Sequence, residues 1–185
     1  TLKYMPVDEI VIRANGGRGL RYSTPLVDNI GVFSTGKEYV GAFDQHILED
    51  AWTMGGNITY YMPFGASSNT YLSFDYFRTQ FAQQMVVDYE YGMNEIHFYA
   101  LDGKRSYTDN YQVDFSVDPV ERFNITATFR YTDARIELAG KGLVEKPMTS
   151  RFKGVLNLQY ATNLNKWIFD FTASLNGSCR VYNFM

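Results

Sequence analysis

Residue types that support catalysis, metal binding and membrane-spanning helices are scarce in this sequence. Cys179 is the only cysteine, which excludes an internal disulfide and a thiolate metal cluster. The two histidines, His46 and His97, are far apart and have no companions at the spacing of metal ligands. No run of 18 apolar residues occurs, so a transmembrane helix is excluded as well. We therefore expect no enzyme, no metal site and no cofactor.

The charge balance narrows the range of partners. The 17 Lys and Arg residues are outnumbered by 20 Asp and Glu residues, and no basic stripe appears, so we expect no nucleic-acid partner. The chain opens with neither the basic nor the apolar segment of a secretory signal. It also begins without Met and stops just after a predicted strand. We expect a fragment of a longer protein, in which case a missing signal says nothing about the compartment.

Aromatic residues, by contrast, are abundant, with 15 Tyr and 14 Phe. They favour the pleated, half-buried surface of a strand, and they also favour membrane interfaces, where a ring lies between apolar and polar surroundings. Alternation of apolar and polar residues predicts one domain over 1–185. Its elements are a leading stub at 2–5, a turn at 6–8 and seven strands, at 9–18, 51–62, 70–91, 95–118, 123–136, 150–162 and 167–176.

Aromatic pairs eight residues apart recur on the apolar face of three predicted strands: Trp52 and Tyr60, Phe123 and Tyr131, Phe152 and Tyr160. Eight steps cover about 27 Å along a strand. At a tilt of about 35–45° this projects to about 19–22 Å, close to the ~25 Å apolar band of an outer-membrane barrel with its two aromatic girdles. The spacing therefore predicts a strand length matched to a bilayer. Combined with the turn lengths described next, it predicts Tyr60, Phe123 and Tyr160 at the periplasmic rim and Trp52, Tyr131 and Phe152 at the outer rim.

The predicted connections differ in length in a regular way. Short turns at 63–69, 118–122 and 163–166 alternate with longer segments, of which 20–49 is the longest. Tight periplasmic turns and long external loops are typical of outer-membrane barrels. Two strands exceed the bilayer length. In 70–91 the apolar residues change from even to odd positions, which indicates a bulge near Arg78 or a strand leaving the membrane, and 95–118 is predicted to break near Asp102-Gly103.

Alternation alone also fits a soluble sandwich or a half-buried sheet, and on that basis the soluble alternative is favoured. The polar faces of these strands, however, are rich in Asn, Thr, Ser, Gln and Asp, whereas a solvent face carries more Lys and Glu. Together with the aromatic spacing and the turn lengths, this favours an all-β, antiparallel up-and-down transmembrane β-barrel segment of about seven to eight strands. On such a polar face, Asp114 and Arg130 are predicted to pair inside the lumen.

Five segments stand out in order along the chain: GRGLRYSTP (17–25), AWTMGGNITYYMP (51–63), YFRTQFAQQMVVDYE (76–90), FYALDGKRSYTDNYQVDFSVDPVERF (98–123) and EKPMTSRFKGVLNLQYATNLNKWIFDF (145–171). Together they resemble the barrel of a TonB-dependent outer-membrane receptor of the siderophore or cobalamin type. The resemblance implies a share of a plugged, 22-stranded barrel. It also implies energy-coupled uptake of a scarce ligand across the outer membrane of a Gram-negative cell. The plug domain, its TonB-contacting segment and the remaining strands of that family are absent from this sequence.

The resemblance further implies three partners: the lipid bilayer, the TonB energy-transducing complex acting through the missing N-terminal region, and a ligand such as a ferric siderophore, haem or cobalamin. Within it, the external loop 20–49 is the predicted ligand contact, with Arg21, Tyr22, Tyr39 and Phe43 as candidates. Cationic and aromatic side chains can hold an anionic, aryl-bearing chelate. A passive porin-like or structural barrel and a soluble β-sandwich binding module stay open as alternatives.

Overall fold

The computed structural model of the chain describes residues 1–63 and 70–183. Within them lie a four-residue helix, α1 (Pro25–Asp28), two 3-10 turns (Ile30–Ser34 and Asn163–Asn165) and twelve strands. The strands are β1 (Leu2–Val7), β2 (Ile10–Tyr22), β3 (Glu38–Gly41), β4 (Leu48–Tyr61), β5 (Tyr71–Gln83), β6 (Met85–Asp88), β7 (Glu95–Ala100), β8 (Ser106–Val120), β9 (Phe123–Leu138), β10 (Gly142–Glu145), β11 (Phe152–Ala161) and β12 (Ile168–Asn176). No helix in the described ranges is long and apolar enough to cross a membrane.

Eight of the strands form one antiparallel, up-and-down sheet, here called the main sheet. Its order is β1-β2-β4-β5-β8-β9-β11-β12, and β10 adds to β9. The predicted all-β, antiparallel up-and-down fold is therefore confirmed. Within the described ranges β1 and β12 do not pair with each other, so the sheet is open.

Several predicted boundaries need correction. The long predicted strand 70–91 is two strands, β5 and β6, and the irregularity in its register lies opposite Asp50 and Ala51 rather than near Arg78. The break at Asp102-Gly103 is confirmed between β7 and β8. The turn predicted at 6–8 falls at Asp8-Glu9 instead, because Pro6 is accommodated on an edge strand, where its missing N–H costs no ladder bond. Most of the turn predicted at 63–69 lies outside the described residues.

Connections between neighbouring strands are sorted by length in the fold. Tight turns join β1 to β2, β8 to β9 and β11 to β12 at one end of the main sheet. The long segments 23–47 and 84–105 leave from the opposite end. The first of these, predicted as a plain loop, contains α1, a 3-10 turn and β3. Both segments fold together there, so this end is called the cap end.

The cap comprises residues 23–47 and 84–101. Its three-stranded sheet has the order β3-β7-β6, with β3 parallel to β7 and β6 antiparallel to it. Val32, Met85, Ile96 and Phe98 form its buried core. A second buried cluster, consisting of Val86, Leu101, Ile136 and Leu138, joins the cap to β9 of the main sheet.

The two faces of the main sheet differ sharply in chemistry. Residues opposite each other on neighbouring strands point to the same side, and Ile58, Phe74, Val113 and Phe129 lie in one such cross-strand row. On the other side, the neighbouring row consists of Asn57, Asp75, Gln112 and Arg130, each adjacent in sequence to a residue of the first row. We call these sides the apolar face and the polar face.

Candidate ligand-binding site

A cavity of about 350 Å³ lies where the cap meets the polar face of the main sheet. Its walls come from β6, from Arg21 and Glu49 at the ends of β2 and β4, from Ile136 on β9 and from Tyr182. Arg21 and Glu49 are directly opposite each other, and both continue the two-residue period of the polar face. The volume falls within the roughly 300–1,000 Å³ of small-molecule sites. The cavity is therefore large enough for an organic ligand.

An ion cluster centred on Arg21 forms one end of this cavity. The guanidinium lies 2.7 Å from Oε2 of Glu49 and 3.3 Å from Oδ2 of Asp28. The hydrogen bond to Glu49 and its charge raise the pKa of Arg21, so the side chain stays charged. Oε1 of Glu49 accepts a hydrogen bond from the Met85 N–H at 3.0 Å. One carboxylate therefore joins the main sheet to the first residue of β6.

A second ion cluster, at Glu90, also lines the cavity. This carboxylate is 1% exposed and accepts hydrogen bonds from Lys141 at 3.2 Å, from Arg180 at 2.6 Å and from the Asn183 N–H at 3.1 Å. Burial would raise the pKa of Glu90, but these hydrogen bonds outweigh it and lower the pKa below its usual value. Glu90 thus ties the segment after β12 to the cap.

Tyrosine and aspartate side chains complete the wall near Glu90. The rings of Tyr89 and Tyr182 are 5.0 Å apart, and burial raises the pKa of both phenols. Asp88 is 2% exposed and accepts hydrogen bonds from the Glu90 N–H at 2.8 Å and the Tyr99 hydroxyl at 3.5 Å. The wall therefore combines aromatic surface with carboxylate oxygens.

A shallower groove of about 230 Å³ adjoins the cavity on the polar face. Gly19, Ala51 and Phe81 lie in one cross-strand row and form its floor. The next row toward the cap contains Arg21 and Glu49, which line both the groove and the cavity. Two small residues beside a phenyl ring leave room for a flat apolar group, directly below the ion cluster.

Of the four predicted ligand residues, the structure brings only Arg21 to the cavity. Tyr22 is the next residue on β2, points to the other side of the strand and is 69% exposed. Tyr39 and Phe43 pack against Phe98 in the cap, with ring centroids 6.2 Å and 6.3 Å away. Neither lines the cavity or the groove in the described part of the chain.

Sequence reasoning missed most of the residues that line the site. Glu49 could have been found, since continuing the alternation of β4 backwards from Thr53 places it on the polar face. Phe81 lies in the predicted strand 70–91, where it was expected on the apolar face; the register places it on the polar face, opposite the small residue Ala51. Asp88 and Glu90 carry no local signal, because their partners come from distant parts of the chain. No group of three or more His, Cys, Asp or Glu side chains suited to a metal occurs within the described ranges.

The predicted pairing of Asp114 with Arg130 on the polar face is wrong. Gln112 is the residue directly opposite Arg130, and its Oε1 accepts a hydrogen bond from Arg130 Nε at 2.8 Å. The Nε2 of Gln112 in turn donates to Asp114 at 2.8 Å. Asp114 is opposite Thr128, whose hydroxyl donates to it at 2.6 Å. The two charges are therefore bridged by an amide rather than joined directly.

The apolar face is exposed and has an aromatic row at each end. At the cap end, Tyr131 is directly opposite Phe152 and Tyr111, and the Tyr111 ring lies 4.9 Å from that of Tyr76. At the other end, Phe123 is directly opposite Tyr160. Charged side chains begin one row beyond the tyrosines, where Arg78 pairs with Asp109 at 3.3 Å.

Between these rows, apolar residues stay open to the surroundings, with exposed fractions near one half for Ile58, Phe74 and Phe129. Chemically, the molecule thus presents an uncovered apolar surface on one side and a walled, charged cavity on the other. Comparison with protein-family models and with curated proteins gave no match to this chain.

Proposed function

We propose that residues 1–185 form part of the barrel of a TonB-dependent outer-membrane receptor, which binds a scarce ligand at its outer mouth and imports it with energy relayed from the inner membrane. The observation that carries the proposal is the exposed apolar face with its two aromatic rows. The cavity and the groove supply the ligand site. Localisation in the outer membrane and coupling to the TonB complex belong to the same proposal.

The apolar face supports a membrane location because water is a poor environment for it. Soluble monomers rarely expose contiguous apolar patches larger than about 300–600 Å². Here apolar side chains continue across neighbouring strands from β4 to β12, and Phe169 and Phe171 on β12 are 60% and 59% exposed. Lipid would cover this surface, while the aromatic rows would lie at the two interfaces.

The position of the aromatic residues also matches the strand tilt of a barrel. Cross-strand pairing that starts at Trp52 and passes through β5 and β8 ends at Arg135 on β9. The residue opposite Phe152 is Tyr131, which lies four residues before Arg135 on the same strand. Four residues span about 14 Å along a strand, and the four steps from β4 to β11 span about 19 Å. If the two rims are level, the strands tilt by about 35°, within the roughly 35–45° of membrane barrels.

The cap favours a receptor over a passive pore. A pore needs a water-filled lumen, whereas here the cap covers the polar face at one end and encloses a cavity walled by ion clusters. The resemblance of five segments to TonB-dependent receptors adds the energy-coupled mode of uptake. A soluble β-sandwich would instead cover its apolar face with a second sheet. Here the second sheet belongs to the cap, which packs against the polar face, so the apolar face stays uncovered.

Flotation with liposomes tests the membrane part of the proposal. The 185-residue chain, refolded from urea in the presence of short-chain phosphatidylcholine liposomes, should float with the lipid and show strand-rich circular dichroism. Without lipid or detergent it should aggregate, because the apolar face then stays in water. A cooperative, monodisperse fold in plain buffer would reject the barrel in favour of the soluble module.

The reading frame upstream of these residues tests the receptor part. A signal peptide followed by a globular segment of plug size supports the energy-coupled receptor. Direct entry from a signal peptide into β-hairpins would reject the receptor and support the porin-like barrel.

A further inference from the structure

We infer that the cavity and the groove together form one site for an amphiphilic cation, that is, a ligand with a flat apolar body and an ammonium or amidinium group. The inference rests on the proposed function and names the ligand class of its site. It differs from the expectation of an anionic chelate held by Arg21, and the reasons lie in the charges and the shape of the site.

Carboxylates outnumber cations along the cavity wall. Among the described residues, the wall contains the carboxylates Asp28, Glu49, Asp88 and Glu90 and the cationic groups Arg21 and Lys146. Lys141 and Arg180, which are not part of the wall, both pair with Glu90 and give that cluster a net positive charge, so the negative charge of the wall is concentrated at Asp28, Glu49 and Asp88.

Arg21 is already occupied by two carboxylates. Glu49 and Asp28 lie 2.7 Å and 3.3 Å from the same guanidinium, so the cluster carries a net negative charge. An anionic ligand would have to displace one of these oxygens or lie beside it, and like charges at such distances repel. A ligand cation instead gains the attraction of Glu49 without breaking the bond to Arg21.

Asp88 adds a second attractive position inside the cavity. Its hydrogen bonds within the described ranges come from neutral donors, the Glu90 N–H and the Tyr99 hydroxyl. The side chain is 2% exposed, so its negative charge is poorly screened by water. A cation that enters the cavity can therefore interact with both Glu49 and Asp88.

The groove supplies the apolar half of the site. Its floor is Gly19 and Ala51 beside the ring of Phe81, and the row below consists of Thr53 and Thr79, whose hydroxyls are 3.0 Å apart. A Cβ atom added to Gly19 would meet no atom within 4 Å, so the glycine leaves open space above the strand. A flat ring fits against this floor with its polar group directed past Glu49 into the cavity.

Three probes of one shape test the inference: 2-naphthylmethylamine, which is cationic at pH 7, the neutral 2-naphthylmethanol and the anionic 2-naphthoate. They are titrated by calorimetry into the complete polypeptide that carries these residues, purified in a neutral detergent. The amine should bind at least about tenfold more tightly than the naphthoate, with the alcohol between them. Glu49→Gln should reduce that ratio at least about threefold, since it removes one charge and keeps an acceptor for the Met85 N–H.

Substitution of the groove floor provides the second arm. Gly19→Leu fills the open space and should weaken binding of all three probes by about tenfold or more, while Gly19→Ala gives a smaller loss. Gly16→Leu is the matched control, because it lies on the same strand but on the apolar face, and its Cβ has only an ordinary contact, 3.8 Å from a carbonyl oxygen. Neither glycine has a left-handed backbone, so the leucines introduce no strain.

Naphthoate binding as tight as that of the amine would overturn the choice of a cation. Equal binding by the Gly19→Ala, Gly19→Leu and Gly16→Leu variants would overturn the groove. These outcomes are distinct from a failure of the proposed function, because the titrations require neither a bilayer nor energy coupling. Flotation can fail while charge selectivity persists, and the reverse can also occur.

Discussion

The cap buries its apolar side chains, whereas the main sheet leaves the same kinds of side chain exposed. In the cap, Val32 and Ile96 are completely buried and Phe98 is 1% exposed. In the main sheet, Trp52 and Phe171 point outward with about half of their surface open. The hydrophobic effect requires apolar surroundings for such residues, but it does not require that the protein itself provide them. The cap carries its own core, whereas the main sheet leaves its apolar side chains uncovered; under the proposed function, lipid covers them.

Polar groups show the complementary difference. On the polar face they form a network of amides, hydroxyls and carboxylates, in which Asn57 donates to Ser73 at 2.6 Å and to Asp75 at 2.8 Å. In the cap, the buried carboxylate of Glu90 depends on the cations Lys141 and Arg180. The cap is therefore held by contacts within the molecule, and under the proposed function the stability of the main sheet depends in addition on the lipid around it.

The largest expected effect comes from removing one phenylalanine ring from the cap. Phe98→Ala should destabilise the cap by about 3–5 kcal/mol, because it leaves a cavity among Val32, Met85 and Ile96. Phe74→Ala on the apolar face should cost clearly less, since lipid or detergent fills the space. With the protein in detergent micelles, hydrogen exchange of the cap strands measures the cost of Phe98→Ala, and exchange of the main-sheet strands measures that of Phe74→Ala.

Equal losses of stability for Phe98→Ala and Phe74→Ala would contradict the predicted difference between the cap and the main sheet. That result would mean that Phe74 is also packed inside protein. Protection of the main-sheet amides serves as the internal control, because it should be unchanged in the Phe98→Ala variant.

The contrast between cap and main sheet also explains which features could be predicted from the sequence. Strands such as 51–62 and 123–136 were predicted within a few residues. A strand with one apolar and one polar face has apolar and polar residues at alternate positions, and this alternation is visible in the sequence. In the cap, the same reasoning gave one loop over 20–49, where β3 is only four residues long and pairs with β7, more than fifty residues later.

The site was harder to predict for a related physical reason. Arg21 was identified because a cation on an external loop suggests a ligand contact. Its partners Glu49 and Asp28, however, depend on the register of β2 with β4 and on the turn at α1. Tyr39 and Phe43 have the composition of ligand residues, but the cap uses them to fill its core. Composition alone does not distinguish an aromatic side chain that contacts a ligand from one that packs inside.

The next largest effect should come from a charge placed at the middle of the apolar face. Leu156 lies halfway between Phe152 and Tyr160 and is 39% exposed, and its neighbour Val155 is 42% exposed on the polar face. Leu156→Arg should reduce the free energy of unfolding in phosphatidylcholine liposomes by about 2–4 kcal/mol, as expected for arginine at the bilayer midplane. Val155→Arg, one residue away on the same strand, should have a small effect. Urea titration followed by tryptophan fluorescence measures the two variants.

Leu156→Arg and Val155→Arg form a close matched pair. The two positions lie on the same strand, have nearly the same exposure and receive the same side chain, so that they differ mainly in the face of the sheet. A reversed order, with Val155→Arg the more costly, would assign lipid to the wrong face. Equal small costs for both would argue that neither face meets a bilayer.

The smallest effect should concern the buried charge of the cap, and it should depend on pH. Because the folded-state pKa of Glu90 is lowered, its contribution is fully present above the unfolded value of about 4.3. It is lost as the pH falls through the lowered folded pKa. At pH 7, Glu90→Gln should cost about 1.5–3 kcal/mol, the range for hydrogen bonds to charged groups.

Asp75→Asn on the polar face is the matched control for Glu90→Gln, because Asp75 accepts hydrogen bonds from Asn57 and Ser73, which are neutral. Its cost should stay near 1 kcal/mol, because Asp75 is only partly buried and water can replace the lost hydrogen bonds. Hydrogen exchange around Arg180 and Asn183, followed as the pH is lowered from 7 until the Glu90 carboxyl is protonated, should show the segment after β12 released on acidification in the unmodified protein. In Glu90→Gln the same amides should exchange quickly throughout, with little pH dependence beyond the intrinsic rate. If that segment stays protected once Glu90 is protonated, contacts such as the Tyr89–Tyr182 pair hold it without the charge of Glu90.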